Sequence, residues 1–163
     1  MEKNVETEVI KEILQLYGIH GQLTEQKIYI HGIEDDGRLK IIFCATLESG
    51  RKLVVKILHE DHDLEEEYRK VERQSVFSEV MRNHGIKTPA RYQANGKYCN
   101  RFFYHDMPCM ITVEDWCGEE ITQITTETAR QIGELMAKMH TISLERKYEI
   151  GRGTLNCFPS SGQ

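Results

Sequence analysis

"LKIIFCATLESGRKLVVKIL", Leu39 to Leu58, reads as two strand-like runs joined by a turn, with one lysine, Lys56, set inside the second run. Both runs are rich in β-branched and aromatic residues, which fit a pleated, half-buried surface, and "ESGR" between them supplies a glycine for a tight reversal. Just upstream, "KIYIHGI" (Lys27 to Ile33) adds a third such run. Two adjacent hairpins are the natural reading, so the sheet is expected to be antiparallel. Side chains alternate along a strand, so Lys56 shares a face with Val54 and Leu58 and points either to solvent or into a cleft. For a strand lysine taken by itself, an outward position is the commoner fate.

Beyond this stretch the chain turns acidic. "HEDHDLEEE" (His59 to Glu67) places six carboxylates in the eight residues from Glu60 to Glu67. His59 and His62 with Glu60, Asp61 and Asp63 have the composition of a metal site but lack further ligands at fixed spacing, so no metal is assigned. A solvated loop leading into a helix is the reading adopted, with Glu65 to Glu67 at the positive end of the helix dipole. That helix runs from Leu64 to His84 along a stripe of Leu64, Tyr68, Val71, Phe77, Val80 and Met81, and Gly85 ends it. "ARYQANGKYCNRFFYH" carries Asn95-Gly96 between strand-like runs, a strong hairpin signal, and "CMITVEDWCG" gives another strand that ends in a glycine. Thr125 or Thr126 caps a last helix whose inner face is Ile132, Leu135, Met136 and Met139. At the other end, Val5, Val9, Ile13 and Leu16 form one stripe of a first helix stopped by Gly18. Helix, three strands, helix, two or more strands, helix: this order fits an α+β unit with a helix packed on an antiparallel sheet.

Composition narrows the function classes. A chain of 163 residues with 39% hydrophobic and 29% charged residues suits one domain, or one large lobe plus part of another. No apolar run approaches the roughly 20 residues that span a bilayer, so no membrane partner is expected. The net charge of −5, with its basic residues scattered, argues against a nucleic-acid partner. Five cysteines without a C-x-x-C pair read as free thiols, and the acidic, amphipathic start is no export signal; a cytoplasmic location is expected.

Four segments, in order, resemble the amino-terminal lobe of the kinase-like phosphotransferases, specifically the aminoglycoside phosphotransferase and choline kinase group. "LVVKIL" resembles the lysine strand of that family and "ERQSVFSEVMRNHGIKTPARY" its glutamate helix with the entry to the next strand. "ITVEDWCGEEI" resembles the hinge strand, and "ARQIGELMAKMHTIS" the helix that opens the carboxy-terminal lobe. The resemblance implies a protein-kinase-like lobe with an antiparallel sheet of about five strands and a packed helix. Around it would stand an N-terminal helix (1–18), the lobe itself (19–113), a hinge (114–121), the first helix of the second lobe (122–143) and an irregular tail (144–163).

It also implies roles for residues. Lys56 would hold nucleotide phosphate and Glu72 would orient it, with Glu79, two turns on, as the competing partner. The backbone of Glu114, Asp115 and Trp116 would take the adenine, with Val113 just inside. Gly37 and Arg38 would offer backbone amides to phosphate from a turn, "HGIEDDGR", that lacks the G-x-G-x-x-G of protein kinases. The implied reaction is transfer of a phosphoryl group from ATP or GTP to a hydroxyl of a small molecule. The family's H-x-D-x-x-x-x-N loop and later Asp motif, which supply the base and the Mg2+ ligands, have no counterpart after His140. The expectation is therefore a nucleotide-binding lobe that is inactive alone, with acceptor and metal held by a missing lobe. The reading from another class is a non-catalytic nucleotide-binding or protein-interaction module, with self-association through an exposed last helix.

Overall fold

The computed structural model describes residues 2–33, 39–59, 64–119 and 121–146. The elements are α1 (Glu2–Leu16), β1 (Leu23–Ile33), β2 (Leu39–Leu47), β3 (Lys52–His59), α2 (Leu64–Asn83), β4 (Asn100–Tyr104), β5 (Met107–Asp115) and α3 (Thr126–Glu145). All five strands form one antiparallel sheet in the order β1-β2-β3-β5-β4. The α+β class, the five strands and the hairpins around "ESGR" are as the sequence implies. Gly50, at φ +80, closes the β2–β3 turn, where the Leu47 amide donates to the Arg51 carbonyl at 2.9 Å. A side chain there would be forced into the left-handed region.

The chain divides into two compact units, Met1–Glu72 with Arg91–Trp116, and Arg73–Ala90 with Cys117–Gln163. The first holds the sheet. Its core face aligns Phe43, Val55 and Val113 in one row and Ile41, Ile57 and Ile111 in the next. Ile10, Ile13, Leu14 and Tyr17 of α1 pack onto this face. Burying these side chains is worth about 1.5–3 kcal/mol each and is the main reason a 15-residue helix, marginal by itself, is stable here. The Tyr17 hydroxyl stands 2.8 Å from the carbonyl oxygens of both Tyr98 and Ile111 and accepts from Asn100 Nδ2 at 3.2 Å. It therefore ties the end of α1 to the segment before β4 and to β5.

In the second unit Val80, Met81, Ile86 and Ile142 form a small cluster, joined by Phe77 and Met139. Thr125 caps α3, its hydroxyl accepting from the Thr128 amide at 3.1 Å. The expected inner face of this helix is corrected in part: Ile132, Leu135 and Met136 are 36%, 44% and 50% exposed. Packing is confined to the last turns, where Met139 and Ile142 meet the cluster.

The Asn95-Gly96 signal also has a different outcome from the one expected. Both residues have positive φ, as a tight turn requires, yet they close only the single bridge between Ala94 and Lys97. The strand-to-strand turn lies ten residues on, at His105 and Asp106, which have φ +47 and +64 and join β4 to β5. Short polar side chains tolerate this region better than most, but they signal it more weakly than Asn-Gly.

Candidate functional site

The face of the sheet opposite α1 carries the polar chemistry. Ladder register aligns Ile42, Lys56 and Thr112 in one row, and Cys44, Val54 and Glu114 in the next. Lys56 therefore sits diagonally from Glu114, one row over on the neighbouring strand, within reach of a long side chain. Lys56 Nζ donates to Glu114 Oε1 at 2.6 Å. The lysine side chain is 29% exposed and the glutamate only 8%. On its other side the carboxylate faces Arg91, whose Nε is 3.1 Å from Oε2, in charge contact without the alignment of a hydrogen bond.

Helix α2 does not supply the lysine's partner. Glu72 Oε1 accepts from the Cys99 amide at 2.7 Å, anchoring the helix to the segment that leads into β4. Glu79 pairs with Arg82, one turn on, at 2.6 Å. The expected Lys56–Glu72 pair is thus replaced by Lys56–Glu114. The reason is register: the strand partner is fixed by the backbone ladder two residues from Thr112, directly opposite Lys56, whereas the helix glutamate is already satisfied by a backbone donor.

The end of β5 is held tightly. Glu114 pairs with Val54 across the ladder, and the Trp116 amide donates to the Lys52 carbonyl at 3.0 Å. The Val113 carbonyl accepts from the Tyr92 amide at 2.9 Å, and the Val113 side chain is fully buried in the core face. Alternation of the ladder directs the N–H and C=O of Asp115 away from β3. Of the backbone expected to meet a purine edge, the Trp116 N–H is therefore spent within the sheet. The Asp115 carboxylate accepts from the Tyr92 hydroxyl at 2.5 Å, and Arg51 Nε lies 3.4 Å from the same oxygen. Arg51 also bonds the Tyr92 hydroxyl and lies over its ring. Burial and the hydrogen bond to Asp115 raise the Tyr92 phenol above its ordinary range.

An aromatic pair was not foreseen. Tyr29 stands at the point where β1 slips register between Ile28 and Ile30, and its ring lies 5.2 Å from that of Trp116, tilted by 39°. Lys27 Nζ lies 4.6 Å above the Tyr29 ring. Strict alternation would give Tyr29 no special place, and the register slip that sets it apart has no local signature in the sequence. Gly37 and Arg38, expected to meet phosphate, lie outside the described residues, as do Glu60, Asp61, His62 and Asp63. Among the described residues no group of three or more His, Cys, Asp or Glu side chains could hold a metal. None of the helices in that set is long and apolar enough to cross a membrane.

No protein-family profile and no curated protein matches the chain. A solved structure of the amicoumacin kinase hAmiN, in complex with AMP-PNP, Ca2+ and Ami, matches it with a TM-score of 0.57 at 18% identity. The match covers 88% of this chain and 42% of the kinase, so the chain spans less than half the length of that enzyme. The likeness is one of fold: an α+β, kinase-like sheet and its helices.

Proposed function

We propose that this chain is the nucleotide-holding part of an ATP-dependent phosphotransferase acting on a hydroxyl of a small molecule. The observation that supports the reading most directly is Lys56: an ammonium, partly open to solvent, anchored by a buried carboxylate on a kinase-like sheet. One of its three N–H groups goes to Glu114, which leaves two for phosphate oxygens. Tyr29 and Trp116 offer ring faces to the base, and the Asp115 carbonyl offers an acceptor to its edge, in the role first given to Glu114, Asp115 and Trp116 together; the Asp115 N–H is taken up by the bridge between Arg91 and Glu114. GTP would meet the same rings and lysine, so the base is left to experiment.

Magnesium would neutralise developing phosphate charge in the whole enzyme. The sequence contains no H-x-D-x-x-x-x-N loop, and none of its residues is given the role of the base that accepts the hydroxyl proton. Calorimetric titration with ATP, ADP and adenosine tests the reading. Affinity should rise with phosphate number and that gain should vanish in Lys56→Ala; a wild-type protein that binds none of the three would refute it.

The second reading, a non-catalytic interaction module, draws on the exposed Ile132, Leu135 and Met136 of α3. Sedimentation of the wild type beside Leu135→Glu separates the two: a dimer lost in the variant, without nucleotide binding, favours the module.

A further inference from the structure

We propose that Glu114 is the positioning residue for Lys56, acting through its side chain in the role expected of a helix glutamate. The inference rests on the nucleotide reading above and deepens it.

Three observations converge on it. Lys56 Nζ lies 2.6 Å from Glu114 Oε1, and Glu72 is committed to the Cys99 amide. The carboxylate is almost wholly buried and a cation stands against each of its oxygens, Lys56 at Oε1 and Arg91 at Oε2. And Glu114 lies in the β3–β5 ladder, with Val54 opposite, so the anchor point moves no more than the sheet does. A lysine has a flexible four-carbon stem whose freedom must be given up to hold one phosphate. Fixing one N–H on a rigid carboxylate gives up that freedom before the nucleotide arrives, while the remaining N–H groups stay available. Arg91, 3.1 Å from Oε2, holds the carboxylate from its other side.

The consequence is specific to the phosphate end of the ligand. Glu114→Gln should weaken ATP binding by about tenfold, the loss of one charge-assisted hydrogen bond, and leave adenosine unchanged. In a Lys56→Met background the same change should cost nothing further, because the two residues act as one unit. Nζ-selective 15N spectra give a readout without nucleotide: a slowly exchanging ammonium signal, absent from Lys56→Met, should disappear in Glu114→Gln and persist in Glu72→Gln. Equal losses for ATP and adenosine, additive losses in the double variant, or tighter ATP binding in Glu114→Gln would each overturn the proposal, the last by making Glu114 a competitor of phosphate. A wild-type protein that binds no ATP overturns both readings. ATP binding lost in Lys56→Met but kept in Glu114→Gln overturns only this one.

Discussion

Glu72 and Cys99 are joined by a hydrogen bond of 2.7 Å from a backbone amide to a carboxylate, and this contact fixes what helix α2 does in the first unit. It is a strut rather than the lysine's orienting group. Removing it with Glu72→Ala should cost about 1.5–3 kcal/mol, the range for a hydrogen bond to a charged group. Glu72→Gln keeps an acceptor and should lose less. Urea denaturation with an unchanged slope checks this, and an Ala variant as stable as wild type would show that the strut is idle.

The Tyr17 hydroxyl gives a pH dependence of known sign. Burial raises its pKa well above the ordinary value, so the unfolded chain loses this proton first as pH increases. Its contribution is therefore complete below about pH 10, the unfolded value, and declines above it as the unfolded state alone ionises. Tyr17→Phe should lower stability by about 1–2 kcal/mol at neutral pH and flatten the alkaline decline. Melting temperatures of both proteins between neutral and alkaline pH measure it; parallel curves would refute the assignment.

Trp116 is the chain's one tryptophan, which makes the Tyr29–Trp116 pair directly observable. Adenosine stacking on these rings should change tryptophan emission, and Tyr29→Ala should weaken adenosine by about 1–3 kcal/mol, the worth of one base–aromatic stack. Emission that responds to inorganic triphosphate as strongly as to adenosine would count against a base site at these rings.

Asp106 holds φ +64 in the β4–β5 turn, a conformation that suits glycine better than any residue with a β-carbon. Asp106→Gly should therefore be neutral or stabilise by up to about 1 kcal/mol, the reverse of most loop substitutions. Thermal unfolding decides, and a clear loss of stability would point to an interaction of the aspartate side chain.

Much of the fold was legible because short-range rules govern it. Alternation in "LKIIFCATL" and "KLVVKIL", with Gly50 between, is enough to call a hairpin, and the stripe of α1 is enough to call a packing helix. The β4–β5 turn was less legible because His105-Asp106 is a weak signal beside Asn95-Gly96, and the β1 slip at Tyr29 because nothing local announces a bulge.

The sequence by itself determined the strands, the helices, the isolation of Lys56 in an apolar run and the likeness to a kinase lobe. It also put Glu114 in a strand, as a supplier of backbone to a base. Only the tertiary structure decided which carboxylate meets the lysine. Glu72 and Glu114 are both acids at long range from Lys56 along the chain, and local pattern holds no information about pairing at that distance. The ladder supplies it: once Lys56 stands opposite Thr112, Glu114 is diagonal to it on the same face, and burial between Lys56 and Arg91 fixes the choice.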